Sequence, residues 1–144
     1  MGTALVTADP IRTEDALGRV GDDRDGAVLL FLGVVRDHHE GRSVTGVTYE
    51  AYEGMVRAEL ERIVEEAEGI LTTDRIHVVH RVGDLEVGDI SVAVAVSSPH
   101  RDEAYRASRY VMEEIKKRLP IWKKEHHPDG RSGWVSGVVP GGDR

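Results

Sequence analysis

Ile90-Ser91-Val92-Ala93-Val94-Ala95-Val96-Ser97-Ser98 runs through Pro99-His100-Arg101 into a stretch whose apolar residues recur every three or four positions as far as Leu119. The first part alternates with period two and is rich in valine, the pattern of a strand. In the second part, an advance of about 100° per residue puts Ala104, Ala107, Ser108, Val111, Met112, Ile115 and Leu119 on one face, which is the buried face of a helix. Pro120 stops that helix, because its ring clashes with the preceding turn and it has no N–H to donate.

Working outward, 75–82 reads as a strand and 53–68 as a helix, with Val56, Leu60, Ile63, Val64 and Ala67 at helical spacing and Gly69 placed to end it. Residues 44–52 alternate Val47, Tyr49 and Ala51 with polar neighbours, as in a sheet with one wet face. Residues 27–35 form an apolar run too short for a typical helix and read as a buried strand, set between a polar turn at 22–26 and a polar loop at 37–42. A short strand at 4–8 and a short helix at 13–17, with Thr13 as candidate cap, complete the N-terminal side. Beyond Pro120 come a short strand around Trp122 and another near 133–135. Strands and helices mix without a regular βαβ rhythm, which predicts an α+β domain of two layers, helices packed on a largely antiparallel sheet. No internal repeat or linker interrupts it. One domain is expected over 1–136, with 137–144 as a flexible Gly-rich tail.

Composition narrows the chemistry. The 144 residues contain no cysteine, which excludes disulfides, thiolate metal sites and a cysteine nucleophile. Acidic residues outnumber Lys+Arg by 26 to 19, a formal charge of −7, which argues against broad nucleic-acid binding because phosphate neutralisation needs a basic surface. No stretch approaches the roughly 18 consecutive apolar residues of a membrane span, and the N-terminus lacks the basic and apolar regions of a signal peptide, so a cytoplasmic protein is expected.

Against that acidic background the cations cluster. Lys116 and Lys123, seven residues apart, are joined by the helix stop and a tryptophan-containing run, Lys116-Lys117-Arg118-Leu119-Pro120-Ile121-Trp122-Lys123-Lys124-Glu125. Such a segment can aim two amines at one pocket from two elements. Lys116 lies at the edge of the apolar stripe, one turn beyond Met112, whereas Lys117 points nearly the opposite way. The plain alternative for Lys116 is that its stem lies along the core edge with its amine in water. Ser97-Ser98-Pro99-His100-Arg101, where strand gives way to helix, has the donors of an anion seat, since helix-start N–H groups attract negative charge and His100 and Arg101 can add to them. An ordinary Ser-Pro helix start with exposed polar residues accounts for the same spacing. Arg36, closing Gly33-Val34-Val35-Arg36 at a strand end, can clamp an anion or simply face water. The histidine pairs His38-His39 and His126-His127, with His77 and His80 at odd spacing, point to opposite strand faces and make no ready ligand pair, so no metal is expected.

Gly33-x-x-Arg36, Tyr49-Glu50-x-Tyr52, His80-Arg81-Val82-Gly83, Ser97-x-x-His100-Arg101 and Lys116…Pro120-x-Trp122-Lys123-Lys124-Glu125, in this order over roughly 26–135, together resemble the large, catalytic subunit of molybdopterin synthase. The resemblance implies an α/β hammerhead fold and a sulfurtransferase of molybdenum cofactor biosynthesis that needs no cofactor of its own. Its partner would be a small ubiquitin-like sulfur carrier ending in a Gly-Gly thiocarboxylate. Its substrate would be cyclic pyranopterin monophosphate, which receives the dithiolene sulfurs. The assembly implied is a homodimer of large subunits with a small subunit at each end, a heterotetramer. Residue by residue, Lys116 and Lys123 match the catalytic lysines, and Arg36, His100 and Arg101 match substrate contacts. Val34, Val35, Lys124 and Glu125 lie in the matching substrate-binding segments, and Phe31 and Met112 match pocket-lining positions. A polyanionic pterin needs cations, and a sulfur acceptor needs a nearby proton donor or acceptor. Lys116 is expected as the acid/base and Lys123 as the anchor. The tail has no counterpart in the pattern. The competing reading is a non-catalytic α+β module that binds an anionic ligand through Arg36, His100 and Arg101 and regulates a partner. A purely structural dimerisation domain would leave the clustered cations unexplained.

Overall fold

Strand–helix alternation around residues 90–118 organises the whole molecule. A computed structural model of the chain describes residues 2–71 and 75–135; the Gly-rich tail expected at 137–144 lies outside them. In chain order the elements are β1 (Thr3–Thr7), α1 (Thr13–Leu17), β2 (Ala27–Val34), β3 (His38–His39), β4 (Arg42–Ser43), β5 (Gly46–Ala51), α2 (Glu53–Glu68), β6 (Ile76–Arg81), β7 (Gly83–Glu86), β8 (Ile90–Ser98), α3 (Arg101–Arg118), β9 (Ile121–His126) and β10 (Ser132–Trp134).

The α+β architecture read from the sequence is present, but its strands divide over two four-stranded sheets. One has the order β1-β6-β8-β2, the other β10-β9-β5-β7, and β3 pairs with β4 in a small hairpin. All pairings are antiparallel except β1 with β6. The hairpin occupies the region expected to be a plain polar loop, and β7 was not foreseen. Both are short, and β7, Gly-Asp-Leu-Glu, carries one buried side chain, Leu85, so periodicity has nothing to register there. A turn with Gly83 at φ +95° lets the chain leave β6 in the first sheet and enter β7 in the second, a conformation that glycine adopts without steric cost.

The alternation in β8 has a meaning that sequence periodicity alone does not supply. Val92, Val94 and Val96 pack into the main core with Leu60, Ile63 and Val64 of α2 and Ala107, Val111 and Ile115 of α3. Ala93 and Ala95, on the opposite face, join Ala16 of α1 and Val79. Both faces of β8 are therefore buried, and the Val/Ala pattern separates a face that meets two long helices from one that meets a five-residue helix. The stripe predicted for α3 is the one observed: Ala104, Ala107, Ser108, Val111 and Ile115 are buried on the helix and Leu119 just beyond it, with Met112 half-buried. Burial of each large side chain contributes about 1.5–3 kcal/mol. On the outer side, Arg118 ties α3 to α2 through Glu59 and Glu66, with N···O distances of 2.7 and 2.6 Å, and pairs along its own helix with Glu114 at 3.1 Å. Its guanidinium and the Tyr110 hydroxyl together hold the Glu66 carboxyl below its ordinary pKa.

Two helix ends differ from expectation. Thr13 is the first helical residue of α1 and Arg12 is its cap, without a side-chain hydrogen bond. Gly69 closes α2 in a right-handed conformation (φ −65°, ψ −16°), so its freedom to go left-handed is not used.

His77 on β6 is buried beneath the α1 side of the sheet, its Nδ1 2.6 Å from the Thr3 hydroxyl. Burial, and secondarily the charge of Arg19, lower its pKa. The folded state thus binds a proton less readily than the unfolded chain, whose imidazole titrates near 6.5. Stability is full above that value and falls as pH drops below it, because protons then favour the unfolded form. The midpoint of thermal unfolding is expected to decrease between pH 7 and 5, and His77→Gln to show a shallower slope over the same range.

Candidate active site

The two lysines reach one pocket because α3 ends where it does. Pro120 forces Leu119 into extended backbone (φ −71°, ψ 121°), so the chain leaves α3 one residue past Arg118 and enters β9 at once. Lys116, in the last turn of α3, and Lys123, opposite Tyr49 in the β5–β9 pair, then line the same cleft. Lys117 points away and pairs with Glu114 at 3.6 Å.

The cleft encloses about 350 Å³. Phe31, Val34 and Arg36 enter it from β2 and the residues after it, His39 from β3, Tyr49 from β5, His80 from β6, and Met112 with Lys116 from α3. A bulge aims the β2 end. Gly33 pairs with Val92 and Val34 with Ile90, so Ser91 is the extra residue, and its hydroxyl donates to the Gly33 carbonyl at 3.2 Å. Gly33 is required by space: a Cβ there would lie 2.6 Å from Cγ1 of Val92, a stiff β-branched side chain on the facing strand. Past the bulge, Val35 turns inward to the core while Val34 stays exposed and Arg36 is carried to the pocket.

His80 forms part of the pocket wall. It is 1% exposed, its Nδ1–H donates to the Arg81 carbonyl at 2.9 Å, and its ring meets Tyr49 edge to face with centroids 5.4 Å apart. The carbonyl fixes the tautomer, which leaves Nε2 as the basic nitrogen of the neutral ring. From the outside, an apolar groove of about 510 Å³ between β2 and α3 runs up to the pocket, lined by Leu29, Leu30 and Tyr105 and sharing Phe31, Met112 and Lys116 with it.

The remaining candidates fall into three groups. Val35 belongs to the buried core, although it also borders a small cavity beside Arg36, His39, Lys123 and Glu125. Lys124 points to the other face of β9, its ammonium 5.4 Å from the centre of the Trp134 ring. Glu125, on the Lys123 face of β9, is 7% exposed and paired with Nδ1 of His39 at 2.8 Å. His100 and Arg101 are exposed at the start of α3, fifteen residues before Lys116, which at 1.5 Å per residue is about 22 Å away. The His100 N–H is taken by the Ser98 hydroxyl at 3.3 Å, and Glu103 stands beside that serine at 3.0 Å. Within one chain these two residues do not join the lysines. Sequence reasoning passed over His39, Tyr49 and His80 as pocket residues. A histidine inside an otherwise apolar strand, as at His80, was the available signal.

A two-sheet α+β protein whose cleft gathers an arginine and two lysines at a sheet–helix junction has the charge to hold a small anion. The MoaE protein pattern matches residues 6–118. The molybdopterin synthase catalytic subunit of Synechococcus elongatus is 48% identical over 129 residues, which span 89% of this chain and 78% of that protein. The crystal structure of molybdopterin synthase from Staphylococcus aureus superposes with a TM-score of 0.85 at 40% identity, covering 91% of this chain and 95% of that one. A chain from the complex of subunits 1 and 2 of the Helicobacter pylori molybdopterin-converting factor, at 18% identity and a TM-score of 0.71, shares the fold over 96% of this chain and 92% of its own. The chain belongs to the MoaE protein family.

Proposed function

We propose that this protein is the catalytic subunit of a molybdopterin synthase. It would move sulfur from the C-terminal thiocarboxylate of a small ubiquitin-like carrier to cyclic pyranopterin monophosphate, forming the dithiolene of molybdopterin. The observation that carries the reading is the meeting of Lys116, Lys123 and Arg36 in one cleft at the end of an apolar groove. A carrier that delivers only its sulfur must form a bond from sulfur to a substrate carbon as an oxygen substituent leaves that carbon, as water or as phosphate oxygen, and then give up the acyl–sulfur bond to water, which leaves a carboxylate on the carrier; two carriers in turn supply the two sulfurs. Each step needs a proton moved at the reacting atoms, and the chain, having no cysteine, offers no sulfur nucleophile to compete. Lys116 is assigned the proton transfers, and Lys123 with Arg36 the hold on the substrate's negative charge. No helix among the described residues is long and apolar enough to cross a membrane, and we place the activity in the cytoplasm.

The distance between Lys116 and Arg101 gives the assembly a role. His100 and Arg101 can serve a lysine pocket only if they reach the pocket of a second copy, which fits a homodimer within a heterotetramer. A mixture of Lys116→Ala and Arg101→Ala chains, each nearly inactive alone, is then expected to recover about a quarter of wild-type activity, since half the dimers are mixed and each has one intact pocket. No recovery on mixing would place Arg101 outside the active site. The function itself is tested by combining the protein, a thiocarboxylated carrier and cyclic pyranopterin monophosphate in a single-turnover assay, with the product read as its oxidised fluorescent pterin. Product formation supports the proposal; a carrier that binds but yields no product rejects it.

A further inference from the structure

Glu125 sits badly in a site for a phosphorylated pterin, because a carboxylate repels an anion. The structure shows where its charge goes. Its side chain is 9% exposed and its Oε2 lies 2.8 Å from Nδ1 of His39, whose own side chain is 26% exposed. His39 belongs to the short hairpin and lines the lysine pocket on one side and the small cavity containing Glu125 on the other. Nδ1 is the ring nitrogen turned to the carboxylate, so Nε2 lies on the other side of the ring, with the exposed Glu40 carboxylate 4.0 Å from it.

We propose that His39, held by Glu125, is a further substrate-binding residue of this site: an imidazole that becomes a cation on protonation and then adds to the hold of Arg36 and Lys123 on the anionic substrate. The proposal rests on the functional reading above for the identity of the substrate. Its geometry is the carboxylate–imidazole pair, in which the buried Glu125 carboxylate stands 2.8 Å from a ring that lines the lysine pocket. The charged and titratable groups that face His39 are Asp37, His38 and Glu40 on its own loop, Arg36 after β2, Arg42 on β4, Tyr49 on β5, His80 on β6, Lys116 on α3, and Lys123 with Glu125 on β9. Of these ring and side-chain types, imidazole alone ordinarily changes charge between pH 5 and 8. Three histidines lie close by, so each must be tested. His38 is 65% exposed and bonded to Asp37 at 2.8 Å, which makes it the control in the same loop, and His80 has its Nδ1–H committed to a carbonyl.

The test has a binding arm and a turnover arm. Equilibrium binding of cyclic pyranopterin monophosphate to the carrier-free protein is measured at pH 6 and pH 8 for wild type, His39→Gln, His38→Gln, His80→Gln and Glu125→Gln. Folding of each variant is checked by its thermal midpoint. Wild type is expected to bind about tenfold more tightly at pH 6, the size of one charge-assisted hydrogen bond. His39→Gln should lose that difference and keep the weaker pH 8 affinity, while His38→Gln and His80→Gln keep the difference. Glu125→Gln should reduce it, since the imidazolium loses its partner. In turnover, His39→Gln should raise KM at pH 6 about tenfold with kcat within threefold of wild type. An unchanged pH difference in His39→Gln, its loss in His80→Gln instead, or a fall in kcat with KM unchanged would each overturn the proposal. Wild-type protein that binds the pterin but forms no product with the thiocarboxylated carrier would reject the functional reading and leave the binding arm to decide the role of His39 alone.

Discussion

Lys116→Ala is expected to lower the single-turnover rate of sulfur transfer by about a thousandfold, within the range of 10²–10⁴ that a positioned proton donor or acceptor supplies. The change should leave the fold intact. Lys116 is exposed on the last turn of α3, alanine is the best helix former, and the residues that anchor this turn, Ile115 and Leu119, are untouched. Loss of rate without loss of thermal stability is therefore the signature. Lys116→Arg sharpens the reading, because a guanidinium keeps the charge and does not exchange its proton in the working pH range. If Lys116 moves protons, Lys116→Arg stays as slow as the alanine variant while binding substrate nearly as well as wild type. If it only supplies charge, the arginine recovers most of the rate, and a near-normal rate in Lys116→Ala would remove it from the chemistry altogether.

Lys123→Ala is expected to act mainly on binding, raising KM for the pterin by about 10- to 100-fold, the value of one or two charge-assisted contacts to a phosphorylated ligand. Lys123 is half-buried between Tyr49 on β5 and the β10 side, where the Val135 N–H donates to its carbonyl at 2.8 Å. Its backbone is held by neighbours on both sides, so the strand survives the substitution. Lys123→Arg should restore much of the affinity, in contrast to Lys116→Arg. The pair of arginine variants thus separates an anchor, for which any well-placed cation serves, from a proton carrier. Equal loss of kcat in both alanine variants with KM unchanged would show that the two lysines share the chemistry.

The legibility of this site in the sequence follows from how local each relationship is. Lys116 at the edge of the α3 stripe, the break at Pro120 and the reappearance of a cation at Lys123 all lie within eight residues, and helix periodicity plus the behaviour of proline describe them. The placement of Arg36 was legible as far as a strand end, but its entry into the pocket depends on the bulge at Ser91, which lies 55 residues away on the partner strand. Glu125 shows the opposite case. Its match to a substrate-binding segment of the family implied a substrate contact, whereas its pairing with His39 joins the ends of two strands 86 residues apart in the chain.

Legible in the chain alone were the α+β class, the buried face of α3, the turn at Pro120 and, through an ordered set of short motifs, the family. Those properties are set by interactions between residues near one another, which leave a period or a punctuation mark in the chain. Only the tertiary structure decided that the strands form two sheets, that the valines and alanines of β8 face different helices, that His39, Tyr49 and His80 complete the pocket, and that His100 and Arg101 stand about 22 Å from Lys116 along α3. These depend on strand pairing and on the straightness of one helix, and neither a pairing partner nor a distance along a rigid rod changes the local pattern of residues from which a sequence is read.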